Sequence, residues 1–77
     1  MSYTKKHEFD EKVVDRINAY IEEHSMSLSK VAEKAGLSYN QLYQVLHKNQ
    51  LLKLREYLKI CNAFGVPAEK FVENIDL

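Results

Sequence analysis

Cysteine occurs once in these 77 residues, at Cys61. That excludes an internal disulfide and leaves no pair or cluster of Cys to hold zinc. Glycine occurs twice and proline once. Two glycines are too few for a loop that cradles a nucleotide phosphate. No apolar run approaches the roughly 20 residues of a membrane span, and the polar stretch from Met1 to Glu8 lacks the apolar segment of a secretory signal. The expected address is therefore a reducing, cytoplasmic one. Net charge is zero, so no overall positive field draws the chain to nucleic acid. The three histidines, His7, His24 and His47, are scattered. No acid or Cys completes a ligand set with them, so no metal and no cofactor is expected. Nothing pairs a Ser or His with an acid for catalysis, and the chain is not expected to be an enzyme.

What is present is an apolar framework for one domain, with five Tyr and three Phe. A chain this short buries only about 60% of its unfolded surface, so its stability margin is thin. The charges are unevenly spread. Residues 10–24 carry Asp10, Glu11, Asp15, Glu22 and Glu23 against Lys12 and Arg16. Residues 25–64 carry Lys30, Lys34, Lys48, Lys53, Arg55 and Lys59 against Glu33 and Glu56. The middle of the chain is thus basic between acidic flanks.

The periodicity predicts an all-α fold of five helices, with residues 1–8 as a flexible arm and 9–77 as one domain. Asp10 reads as the cap of a first helix, with Phe9 and Val14 spaced as a hydrophobic staple and Val13, Ile17, Tyr20 and Ile21 as its apolar stripe. Ser27 caps a second helix from about Leu28 to Ala35, and Gly36 supplies the turn. Ser38 caps a third, about Tyr39 to His47, with Leu42, Val45 and Leu46 facing inward. A fourth runs from about Lys53 to Phe64, with Leu54, Tyr57, Leu58, Cys61 and Phe64 at helical spacing. Gly65 stops it. Pro67 then opens a short fifth helix, about Ala68 to Asn74. Cys61 reads as a buried, inert thiol.

Two segments carry a resemblance. Val31-Ala32-Glu33-Lys34-Ala35-Gly36-Leu37-Ser38 and Leu58-Lys59-Ile60-Cys61-Asn62-Ala63-Phe64-Gly65-Val66-Pro67 resemble those of the lambda-repressor-like, Cro/repressor (XRE-type) helix-turn-helix family. The likeness covers about Ile17 to Phe71. It implies a compact lambda-repressor-like domain in which the helix opened by Ser38 enters the major groove of double-stranded DNA. Tyr39, Asn40 and Gln44 match positions that touch base edges, with Gln41 beside them. Ser27 matches a region whose amides meet a phosphate. Ser38, Tyr43, Lys48, Asn49 and Lys53 are the further candidates for phosphate contact. The chemistry agrees, since Asn and Gln offer adenine a donor and an acceptor together, worth about 1–3 kcal/mol of discrimination.

The resemblance also implies a homodimer and a transcriptional regulator, in particular a repressor; no small-molecule effector is evident from the residues. Candidate dimer surfaces are Leu51-Leu52 and Phe71 to Leu77. The chain departs from the family pattern at Leu28, where a phosphate-gripping Gln is common, at Leu46-His47-Lys48 and at Leu51-Leu52. Leu28, Leu51 and Leu52 together could form an apolar surface. With the zero net charge they favour a second reading, a protein-interaction module such as an antitoxin-like or adaptor protein.

Overall fold

A computed structural model describes residues 8–75, with their side chains from Glu11 onward. Four helices follow one another: α1 (Glu8–Glu23), α2 (Leu28–Ala35), α3 (Tyr39–His47) and α4 (Leu54–Phe64). No strand occurs among the described residues. The core is one cluster to which every helix contributes: Val13 and Ile17 from α1, Val31 and Ala32 from α2, Leu42 and Val45 from α3, and Ile60 and Cys61 from α4. Helix α2 packs against both α3 and α4, and α1 packs against α3.

Three helices end by the same device. Ser25, Gly36 and Gly65 each adopt a positive φ, at 52°, 72° and 71°. The next N–H then returns to a carbonyl five residues back: Met26 to Ile21 at 2.9 Å, Leu37 to Ala32 at 2.9 Å and Val66 to Cys61 at 3.1 Å. This satisfies carbonyls that the helix leaves open and turns the chain sharply. The two glycines stand where their lack of a Cβ is needed. Ser25 does the same with a Cβ present.

Several expectations are corrected. Helix α1 begins at Glu8, so Asp10 lies within its first turn rather than at its cap. The side chains of the expected Phe9–Val14 staple lie partly outside the described residues, as do residues 1–7 of the expected arm. Among the described residues there are four helices, not five. Residues 68–74 are a run of turns. Their N–H groups bond irregularly, Lys70 to the Pro67 carbonyl, and Val72 and Glu73 both to that of Glu69. The Arg16 guanidinium from α1 donates to the carbonyls of Phe71 and Glu73, at 3.4 and 2.6 Å. Those carbonyls are spent on a distant side chain instead of a helical ladder, and Asn74 turns to a φ of 62°. Phe71 is nonetheless seated in the core, with its ring edge-on to Tyr20, Tyr57 and Phe64.

On α4 the inward stripe is Tyr57, Ile60 and Cys61, with Phe64 half-buried. Leu54 and Leu58 lie off that stripe, 71% and 45% exposed. The Tyr57 hydroxyl donates to the Ala68 carbonyl, and burial pushes its phenol up to about 12. Burial likewise raises the Cys61 thiol above its ordinary range, so the thiolate is disfavoured and the residue behaves as a small apolar filler.

The left-handed backbone at Ser25 yields a stability prediction. A side chain in that conformation costs roughly 1 kcal/mol that glycine avoids. Ser25→Gly is expected to raise the unfolding free energy by about that amount, read as a higher midpoint in urea; an unchanged or lower midpoint would show that the turn is not strained.

Candidate nucleic-acid interface

The interface begins with two serines. Ser27 and Ser38 both hold extended backbone, and each Oγ accepts an N–H three residues on, from Lys30 and Gln41, at 3.0 Å. Each thereby satisfies one of the amides that open a helix, while the first amides beyond it remain without an intrahelical partner. Both serines are exposed. Only Gly36, Leu37 and Ser38 separate α2 from α3. Leu37 packs against the core, which closes the turn from beneath.

Helix α3 then has two sides. At 3.6 residues per turn, Leu42, Val45 and Leu46 share one side and are buried. Asn40, Gln44 and His47 share the opposite side. Asn40 and His47 are exposed and Gln44 is half-buried. Alongside runs an aromatic ladder. The rings of Tyr39 and Tyr43 stack with centroids 6.2 Å apart and planes 11° apart. Tyr43 and His47 follow at 5.1 Å with a tilt of 44°. The outward face therefore presents amides beside a row of ring edges and hydroxyls. Such groups donate and accept hydrogen bonds and can also cover a thymine methyl.

Gln41 is held differently. It lies at the border of the face, and its Nε2 donates to Glu56 Oε2 at 2.9 Å. Glu56 is 5% exposed, and its other oxygen accepts the Lys53 N–H at 2.9 Å. Lys53 occupies the cap position of α4, but an ammonium can only donate. Glu56 thus does the capping from within the helix, and the same carboxylate ties α4 to the first turn of α3. Gln41, expected at base edges, has its amide nitrogen committed to this joint.

The far end of α3 is also anchored. Asn18 Nδ2 from α1 donates to the Leu46 carbonyl at 3.2 Å. Lys48 and Gln50 both return their N–H to the Gln44 carbonyl, at 3.0 and 3.2 Å. Asn49 sits between them with a φ of 63°, a conformation that Asn tolerates better than most residues. Lys48, Asn49 and Lys53 are all exposed around this turn. Sequence reasoning missed Asn18 and Glu56. The spacing of Glu56, three residues after the cap position Lys53, was the available signal for a capping role; nothing local marks its bond to Gln41. Leu28 and Leu52 pack against the core and only Leu51 stands out at 51% exposure, so the apolar surface expected from those three is reduced to one. Phe71, expected on a dimer surface, is buried.

Among the described residues no group of three or more His, Cys, Asp or Glu could hold a metal, and no helix is long and apolar enough to cross a membrane.

Two capped helices joined by a three-residue turn, with the second showing a polar outer face, define a helix-turn-helix protein. Residues 16–73 match the Cro/C1-type HTH DNA-binding domain, and the chain belongs to that family. The match runs from Arg16 to Glu73, the pair whose side chain and carbonyl tie the last turns to α1. No curated protein and no solved structure matches the chain.

The joint between α3 and α4 is testable by unfolding. Glu56→Ala strands two donors and is expected to cost about 1–3 kcal/mol, and Gln41→Ala about 1 kcal/mol. The double variant should cost less than their sum by at least about 0.5 kcal/mol. Strict additivity in urea titrations would mean the two side chains do not interact.

Proposed function

We propose that this protein is a sequence-specific DNA-binding regulator of transcription, acting as a repressor. The observation that carries this is the placement of Asn40, exposed on the outer face of a helix whose opposite side is locked into the core. Asn40 and Gln44, with Tyr39, read base edges in the major groove. Ser27, Ser38, Tyr43, Lys48, Asn49 and Lys53 hold the flanking phosphates. Gln41 supports α3 from its joint with Glu56 and reaches bases only through its free carbonyl oxygen.

The roles follow from chemistry. The open amides at the starts of α2 and α3 carry the positive end of each helix dipole and suit phosphate oxygens. Exposed Lys48 and Lys53 add charge where the chain leaves α3. These contacts give affinity without sequence information, and the amides give the sequence preference. The protein binds as a two-fold pair on half-sites about one helical turn apart. Repression requires only that the bound pair occupy the site of polymerase.

The alternative is a protein-interaction module on the same scaffold. It is favoured by zero net charge and by the exposed leucines Leu51, Leu54 and Leu58. Salt separates the two, because several phosphate contacts make affinity fall steeply as salt rises, whereas an apolar contact barely responds.

The decisive test uses sites selected from a random DNA pool. Asn40→Ala is expected to lower affinity for the selected site by about 1–3 kcal/mol and to leave random DNA nearly unaffected. Lys48→Ala should weaken both and reduce the salt slope by about 1. If Asn40→Ala weakens selected and random DNA equally, Asn40 does not read bases.

A further inference from the structure

Gln41 lies half-buried at the border of the outward face of α3, beside Gln44 in the next turn. Its amide has two unlike ends, a nitrogen that only donates and an oxygen that only accepts. Free in water, such a group turns over and offers a base either end. Here it is held. Glu56 is 5% exposed, and its carboxylate receives two N–H groups at 2.9 Å, the Lys53 backbone on Oε1 and Gln41 Nε2 on Oε2. An ionised carboxylate only accepts, so the amide faces it nitrogen first. The Gln41 oxygen is thereby turned away from the joint. Among the described residues Gln41 Oε1 receives no hydrogen bond, and no buried side-chain oxygen is left without one, so this oxygen reaches solvent.

We infer that Glu56 is a specificity-determining residue: by capturing Gln41 Nε2 it makes Gln41 an acceptor toward DNA, so that the base Gln41 meets is one bearing an amino group, cytosine or adenine. This role rests on the DNA-binding reading above. Glu56 itself, buried at the joint, meets no base and is a positioning residue. In the major groove cytosine N4 and adenine N6 are donors, whereas guanine O6 and thymine O4 are acceptors. An oxygen fixed outward attracts the first two and repels the second two. A free glutamine turns its nitrogen to a keto oxygen, or grips adenine with both ends; a captured one does neither. The charge at position 56 sets the sign. In Glu56→Gln the Lys53 N–H still needs an oxygen, so the new amide nitrogen falls where Oε2 stood, and it can only donate. Gln41 must then turn its oxygen to the joint and its nitrogen outward. One change thus reverses the group offered to DNA while keeping the cap of α4.

Selection from a random DNA pool, run with the full chain and its variants, tests this. The wild-type site should hold one position with an amino base whose preference disappears in Gln41→Met, a variant that fills similar space without hydrogen bonding. The preference lost there should be about two- to tenfold, the worth of one hydrogen bond, with the position that depends on Asn40 unchanged. Glu56→Gln should switch the Gln41 position to a keto base, guanine or thymine. Adding Gln41→Glu to Glu56→Gln should restore the amino base. The new carboxylate then accepts from the new amide with one oxygen and turns the other outward. Its charge beside the phosphates lowers affinity overall, but the preference returns. A Glu56 that only supports the fold would change affinity in these variants and shift no base. That result, a Gln41→Met site unchanged at every position, or a double variant that does not regain the amino base, would overturn this role alone. If Glu56→Gln melts early by circular dichroism, Gln41→Met and the double variant decide. A wild-type chain that enriches no site would overturn the DNA-binding reading, and this role with it.

Discussion

The orientation of α3 depends on burying Leu42 and Val45 against Val31 and Ile17, with the chain reversed at Gly36. A nine-residue helix is too short to be stable alone in water. It persists because one side is locked into a core that all four helices build. Once that side is committed, helical geometry leaves no freedom about the other: Asn40, Gln44 and His47 must face outward. The polar face is thus a consequence of the apolar one.

Both ends of α3 are secured by groups from elsewhere in the chain. At the start, Ser38 satisfies one amide and the Glu56 carboxylate holds Gln41. At the end, Asn18 reaches from α1 to the Leu46 carbonyl. These tethers hold the backbone of α3 at its first turn and at its last. Leu28 opens α2 and is half-buried. Its packing against the core adds to the same framework on which α3 rests.

Charge tells less about this protein than arrangement does. The acidic residues lie mostly on α1 and in the last turns, and the lysines of the middle segment surround α2, α3 and the start of α4. A neutral chain can therefore carry a locally basic surface. The aromatic ladder of Tyr39, Tyr43 and His47 adds contact area on the same helix, with rings spaced one turn apart so that each stiffens the next. The exposed leucines of α4, Leu54 and Leu58, take no part in that ladder.

The helix-turn-helix itself was legible residue by residue. Ser27, Gly36, Ser38 and Gly65 act locally, through caps and a left-handed turn, and the apolar periods of α2 and α3 point to one core. Local chemistry of this kind is written in adjacent residues, so their order suffices to predict it. Other features were settled only when distant segments met. Leu54 and Leu58 fit a helical stripe in the sequence, yet α4 turns Tyr57, Ile60 and Cys61 inward instead. Residues 68–74 had the marks of a helix, but Arg16 takes the carbonyls at Phe71 and Glu73. Gln41 and Asn40 are neighbours of the same chemical type, and only the position of Glu56, fifteen residues on, separates their fates. Spacing along the chain cannot express which of two adjacent amides a buried carboxylate will capture, because that depends on the angle at which two helices pack.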